Sequence, residues 1–269
     1  MRPALSTTSL RSFPICDAIE AAHRLDYAGV EIWAEHLWAR GEDPATLARQ
    51  AAGYGLTVSV HGPSRDLNVT STNPGIREES QRQYYRALAD AARLGASAVV
   101  FHPGSLSSSR DRPEEYWPRL TEFFAALGQT AGDLGITVTV ENMEERPGEF
   151  VTHPEDVARL VDDAGVSVLG LALDIAHLLF NRKPVHLTGL EGYVKHVHLS
   201  GSTATLAHVP LADGLYDLRP PLSQLARFYT GIIAIEGYVP KREMQSVAEN
   251  RRVFDRLLLA AAATPWSDP

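Results

Sequence analysis

Short runs of alternating hydrophobic and polar or small residues recur along the chain, and each closes on an ionisable side chain. The clearest is Thr137-Val138-Thr139-Val140-Glu141, followed by Asn142. Gly29-Val30-Glu31, Thr57 to His61, Ala98 to His102, Leu169 to Asp174, Val194 to His198 and Ile232 to Glu236 repeat the form. Successive side chains on a strand point to opposite faces. Counting back in twos from each terminal group therefore collects small or polar residues, such as Thr139 and Thr137 or Ala172 and Gly170, while the other face is Val, Leu and Ile. The pattern predicts strands that offer an apolar face to helices and deliver Glu, His, His, Glu, Asp, His and Glu at equivalent ends.

Segments of helical period lie between these runs. Pro14 to Leu25 carries Ile15, Ile19 and Ala22 on one stripe. Asp43-Pro44 and Asn73-Pro74 supply an N-cap followed by proline in the first turn. The first opens a helix over Ala45 to Ala52 and the second a long one ending near Leu94-Gly95. Further helices are predicted from Pro113 to about Leu134, Pro154 to about Ala164, Pro221 to Tyr229 and Lys241 to Ala262, with a shorter one in His177 to Gly189. With a weaker first strand near Pro3 to Ser6, this makes eight strand-then-helix units at a spacing of roughly 30 residues, the arithmetic of an α/β fold of the (β/α)8 TIM barrel type. No linker interrupts it, so one domain over residues 1–263 is expected, with 264–269 a dispensable tail.

In such a barrel the site lies where strands end and loops begin, so the seven terminal residues should converge. Glu141, Asp174 and Glu236 in one partly dry cavity would repel, and at least one would protonate unless a cation neutralised them. With His198 as a nitrogen donor, this mixed oxygen and nitrogen shell suits Mn²⁺, Zn²⁺, Co²⁺ or Fe²⁺ more than Ca²⁺. His61 and His102 could hold a second ion bridged by Glu141. His177 could bind a further metal or contact substrate. Glu31 reads either as the partner of a ligand imidazole or as a salt-bridge residue, and His196 as a hydrogen-bonding core residue. His23, His36, His153 and His186 fall away from the strand ends and receive no role.

Composition narrows the setting. At 269 residues and 44% hydrophobic the chain can bury a full core. The single Cys16 excludes an intramolecular disulfide and a cysteine-based zinc site, which points to a reducing compartment. Neither a signal peptide nor a run of 18 apolar residues is present, so a cytoplasmic protein without a membrane span is expected. The formal charge of −8 argues against a generally basic, nucleic-acid-binding surface.

The ordered set Gly29-Val30-Glu31-Ile32, His61-Gly-Pro, His102-Pro103-Gly104, Glu141-Asn142, Leu173-Asp174-Ile175-Ala176-His177, His196-Val197-His198-Leu199, His208-Val-Pro-Leu-Ala-Asp213-Gly214 and Ile235-Glu236 resembles the xylose isomerase-like TIM barrels nearly end to end. These include sugar and sugar-phosphate isomerases and epimerases and, as a divergent branch, endonuclease IV. The resemblance implies that Glu141, Asp174, His198 and Glu236 form the metal shell of the epimerase branch, that Glu141 and Glu236 act as its acid/base pair around an enediolate, and that His177 contacts substrate.

The nuclease branch implies a trinuclear zinc cluster on His61, His102, Glu141, Asp174, His177, His198, His208 and Glu236. It also needs an aspartate where this chain has Leu206. Leu206, the acidic balance and the lack of basic or aromatic insertions favour a metal-dependent isomerase or epimerase acting on a small sugar or polyol. An endonuclease IV-like phosphodiesterase acting on abasic DNA or another phosphoester is the alternative, and only then is nucleic acid a partner. A binding protein without catalysis on the same scaffold is disfavoured by the inward carboxylates. Ser200-Gly201-Ser202, after the seventh strand, is a candidate phosphate cradle, with Ser200 and His208 as candidate substrate contacts. A homo-oligomer is left open.

Overall fold

Eight parallel strands pair in chain order and close on themselves: β1 Arg2–Ser6, β2 Gly29–Trp33, β3 Thr57–His61, β4 Ala98–Phe101, β5 Thr137–Glu141, β6 Leu169–Asp174, β7 Val194–Leu199 and β8 Ile232–Ile235. The closing pair sets Pro3 opposite Ile233 and Ala4 opposite Ala234. The computed structural model describes residues 1–263, so the expected tail at 264–269 lies outside the described residues.

The helices are α1 Ile15–Arg24, α2 Ala34–Arg40, α3 Pro44–Gly53, α4 Pro74–Leu94, α5 Pro113–Asp133, α6 Pro154–Ala164, α7 Ile175–Phe180, α8 Arg219–Leu225 and α9 Glu243–Ala263. Two of the expected starts rest on real caps. The Asp43 carboxylate accepts from the Thr46 amide, and the Asn73 side-chain Oδ1 accepts from those of Gly75 and Ile76. Each such cap contributes about 1 kcal/mol.

Alternation along the strands makes the layers. Val58 and Val60, Val138 and Val140, Leu171 and Leu173, and Ile233 and Ile235 are all buried against the helices. The opposite face, carrying Glu31, Ser59, Thr139, Ala172 and His196, fills the barrel interior.

Five expectations need correction. β2 does not stop at Glu31 but continues to Trp33, so Glu31 lies one layer below the strand ends. α2 follows β2 directly and takes in His36, in a stretch too short to show a helical period of its own. α7 stops at Phe180 rather than near Gly189. α8 runs over Arg219–Leu225, and α9 begins at Glu243, because Lys241 adopts a left-handed conformation with φ +65. Among the described residues no helix is long and apolar enough to cross a membrane.

Candidate metal centre and active-site mouth

Glu141, Asp174, His198 and Glu236 lie at the C-terminal ends of β5 to β8, buried, with one ligating atom of each within 4.8 Å of all the others. His198 Nδ1 is the common point: it lies 2.9 Å from Glu141 Oε1, 3.6 Å from Glu236 Oε2 and 3.8 Å from Asp174 Oδ2. Local structure fixes the carboxylates. Asp174 caps α7, its Oδ1 accepting from the His177 amide at 2.7 Å, which leaves Oδ2 free to face His198. The Asn142 side chain clamps β5 to β6, donating to Asp174 O at 3.0 Å and accepting from Asp174 N at 2.9 Å. Glu236 Oε1 accepts from Trp33 Nε1 at 3.3 Å and from Ser6 Oγ at 3.4 Å.

A second group adjoins the first. His102 Nε2 lies 3.1 Å and His61 Nε2 3.6 Å from Glu141 Oε2. His61 Nδ1 meets the Gly62 carbonyl at 2.7 Å. A carbonyl can only accept, so Nδ1 carries a proton and Nε2 is the nitrogen turned to Glu141, open to a cation whenever the ring is neutral. The Trp33 indole stacks on His61 with centroids 4.1 Å apart.

On the other side, His177 Nδ1 meets Asn142 O at 2.8 Å, and its Nε2 lies 2.9 Å from His208 Nε2. His208 adopts φ +57 and is held from behind by Ser200 Oγ, 3.2 Å from its Nδ1. Glu144, buried and ion-paired with Arg146, completes a set with His177 and His208. Beneath the mouth, Glu31 joins three side chains: His196 Nε2 at 2.8 Å, His198 Nε2 at 3.2 Å and Ser59 Oγ at 3.0 Å.

Burial pushes the Asp174 carboxyl up to about 8, with Glu141 and Glu236 adding to the rise against the pull of His208 and His198. Burial would also raise Glu141, yet the charge of His198 and hydrogen bonds from His102, His198 and His61 hold it well below the usual range. Glu31 is lowered in the same way by His198 and His196, against its burial. Burial would lower both His61 and His198. The Glu141 hydrogen bond and neighbouring carboxylates raise His61 to about 9, and Glu236, Glu31 and Glu141 raise His198 well above its ordinary value. The four-residue group thus needs positive charge, and protons are one supply of it.

Whether a divalent ion suits these residues can be judged from their unsatisfied atoms. Asp174 Oδ2 is buried with no hydrogen-bond partner, a costly state for a carboxylate oxygen, and buried Glu141 Oε2 meets only the His102 and His61 rings. Both face imidazole nitrogens, the donor mixture expected around a first-row divalent ion. The residues present fit such an ion.

The mouth encloses a cavity of about 150 Å³ lined by Trp33, His61, His102, Glu141, His177, His208 and Glu236 together with Thr8, Arg11 and Tyr238. Of the expected residues, His61, His102, Glu141, His177, His208 and Glu236 line it, whereas Asp174, His198 and Ser200, all buried, do not. Ser200 lies behind His208. The Ser200-Gly201-Ser202 turn is likewise closed off, Gly201 bridging to Val209 and Ser202 Oγ donating to Ala176 O, so it offers no phosphate cradle. Leu206 is 62% exposed, in contrast to the buried ligating groups.

Trp33, Arg11, Tyr238 and Glu144 were not anticipated. Trp33 was within reach of the alternation rule, since it lies two residues beyond Glu31 on the same face of β2. The other three sit in loops without a period.

A family model described as xylose isomerase-like TIM barrel matches residues 19–257. Among curated relatives, an uncharacterised protein of Methanocaldococcus jannaschii is 25% identical over 72% of its length and 73% of this chain. A probable endonuclease 4 of Mycobacterium ulcerans is 29% identical over 50% of each chain. The D-psicose 3-epimerase of Agrobacterium fabrum is 23% identical over 57% of its length and 60% of this chain. The matches to the last two thus span about half of those proteins. Among solved structures, a D-tagatose 3-epimerase-like protein superposes with a TM-score of 0.84 at 20% identity, over 98% of this chain and 99% of that one, a likeness of fold.

Proposed function

We propose that this chain, which belongs to the xylose isomerase-like TIM barrel family, is a divalent-metal-dependent isomerase or epimerase of a small sugar or polyol. The observation that carries the reading is the placement of Glu141 and Glu236. They end β5 and β8 on different walls of one mouth, each within 3.6 Å of His198 Nδ1, beside an Asp174 oxygen that has no hydrogen-bond partner.

Glu141, Asp174, His198 and Glu236 would hold the ion, with manganese, zinc or cobalt suited to them. Bound there, it would polarise a carbonyl and acidify the adjacent C–H. The chain's own residues do the rest. Glu31, at His198 Nε2, keeps the ring's proton on that nitrogen and Nδ1 turned to the mouth. One of the two glutamates removes the proton beside the carbonyl, and the other returns a proton from its own side. Return to the same carbon inverts it; return to the neighbouring carbon isomerises the sugar. His177 and His208 supply imidazole nitrogens to substrate hydroxyls, and Trp33, lying over His61, offers an apolar face to the sugar ring or chain. Support also comes from the epimerase among the curated relatives.

A second reading, hydrolysis of a phosphoester, draws on the His61, His102 and Glu141 group and on the endonuclease relative. Two bridged ions could activate water and hold a leaving oxygen. Metal content measured on protein purified without chelator or histidine tag separates the two. About one ion per chain, unchanged in His102→Ala, supports the first reading; two or three zinc ions, falling by one in that variant, support the second.

A further inference from the structure

The inner chamber of about 150 Å³ is smaller than the ~300–1,000 Å³ of ordinary small-molecule sites. It has room for the reacting carbons beside an ion but little more. A second lobe of about 410 Å³ adjoins it, sharing Thr8, Arg11 and Trp33 with the lining of the chamber. The remainder of a bound molecule therefore has somewhere to go, and the lining of that lobe says what it should carry.

Three guanidinium groups border the lobe, Arg11, Arg40 and Arg65, against one carboxylate, Glu35. Glu35 is already engaged, its Oε1 accepting from the Ser64 and Arg65 amides at 2.8 and 3.0 Å. Arg11 is fixed in place: it donates to Thr8 O and Thr8 Oγ1 and lies 3.9 Å over the Tyr238 ring. Arg40 spends one nitrogen on Arg11 O at 3.0 Å. The Arg65 guanidinium has no hydrogen bond or ion pair among the described residues. The chain as a whole carries a formal charge of −8, and the neighbouring chamber is lined by Glu141 and Glu236, so this concentration of positive charge runs against the balance of the chain. Arginine presents planar pairs of donors that match phosphate and carboxylate oxygens.

We propose that this lobe is an oxyanion subsite in which Arg40 and Arg65 grip a phosphate or carboxylate at the far end of the substrate, with Arg11 forming the wall next to the reacting carbons. The anion subsite stands on the lobe itself; that its ligand is the tail of a sugar rests on the reading of the mouth given above. An acidic substrate of this shape comes from a reaction that phosphorylates a terminal hydroxyl or oxidises it to an acid.

The test begins on metal-free protein, so that the centre cannot hold the anion. Inorganic phosphate and acetate are titrated by equilibrium dialysis into the wild type, the double variant Arg40→Ala with Arg65→Ala, and Arg82→Ala, whose side chain pairs with Glu79 on α4. Saturable binding of one anion per chain, weakened at least tenfold in the double variant and unchanged in Arg82→Ala, is expected. Tighter phosphate than acetate assigns a phosphate ester, and the reverse a carboxylate. No saturable binding of either anion, or equal binding in all three proteins, overturns the subsite. Displacement of phosphate by abasic duplex DNA at lower concentration than by a ketopentose 5-phosphate overturns the small-molecule ligand. Proton exchange from ketoses is scored separately on metal-loaded protein. Arginine-dependent anion binding without exchange would refute the ketose reading and leave the subsite standing.

Discussion

Glu31 is a buried carboxylate held between two imidazoles of β7, at 2.8 Å from His196 Nε2 and 3.2 Å from His198 Nε2. Groups that orient a ligand imidazole from behind typically carry a factor of 10–100 in metal affinity. Glu31→Gln should therefore weaken divalent-ion binding by about that factor, measured by competition with a chromophoric chelator, with the strands intact by circular dichroism. Unchanged affinity would contradict the role. The sequence offered Glu31 as either such a partner or a salt-bridge residue, and its position beside both histidines joins the two readings. The terminal groups were legible because alternation puts one ionisable residue at each strand end. Glu144 and Arg11 were not, since loop side chains reach the mouth by the path of the loop, which no period along the chain encodes.

At the scale of elements, β3 and β4 must approach closely just where His61 and His102 leave them. A Cβ on Gly62 would lie 2.3 Å from Phe101 Cδ1 and 3.0 Å from Val100 O. Gly62→Ala should then push the two strand ends apart, costing about 1–3 kcal/mol as overpacked cores do, and should disturb His61 and His102 together. A lowered urea midpoint with an unchanged m-value is the expected result; an unchanged midpoint would show that the strands yield freely. Strand positions were readable to within a residue or two because their outward faces are runs of Val, Leu and Ile. The extension of β2 to Trp33 and the existence of α2 were not, because strand and helix there abut without a turn and α2 spans only Ala34–Arg40.

Across the whole molecule, the barrel concentrates charge that folding must tolerate, and pH should reveal it. His61 is raised from 6.5 to about 9, and His198 is raised well above its ordinary value by Glu236, Glu31 and Glu141 against its burial. Their contribution is therefore full below about 6.5 and is lost as pH rises through the folded-state values. Asp174 is raised from 3.8 to about 8, so ionising it in the folded chain is penalised and stability falls as pH rises across that window. Glu141 and Glu31, both lowered from 4.5, contribute above that value and lose their contribution in acid. Metal-free protein should accordingly lose thermal stability between about pH 6 and 9. Added Mn²⁺ should restore more of it at the upper end, where fewer protons compete for the ligands. A melting temperature flat across that range with and without metal would contradict this electrostatic account. The closed barrel itself was legible from eight repeats of one pattern. The identity of the substrate was not, because apart from Trp33 the second lobe is lined by α2 and loop residues that no strand rule gathers.

The central claim, that Glu141 and Glu236 exchange a proton with a carbon beside a carbonyl, is tested most directly by nuclear magnetic resonance of ketoses and ketose phosphates incubated in D₂O with metal-loaded protein. Deuterium should appear at the carbon next to the carbonyl, slowed by about 10²- to 10⁴-fold in Glu141→Gln and in Glu236→Gln. No incorporation from any ketose, together with cleavage of an abasic strand by the same preparation, would contradict it.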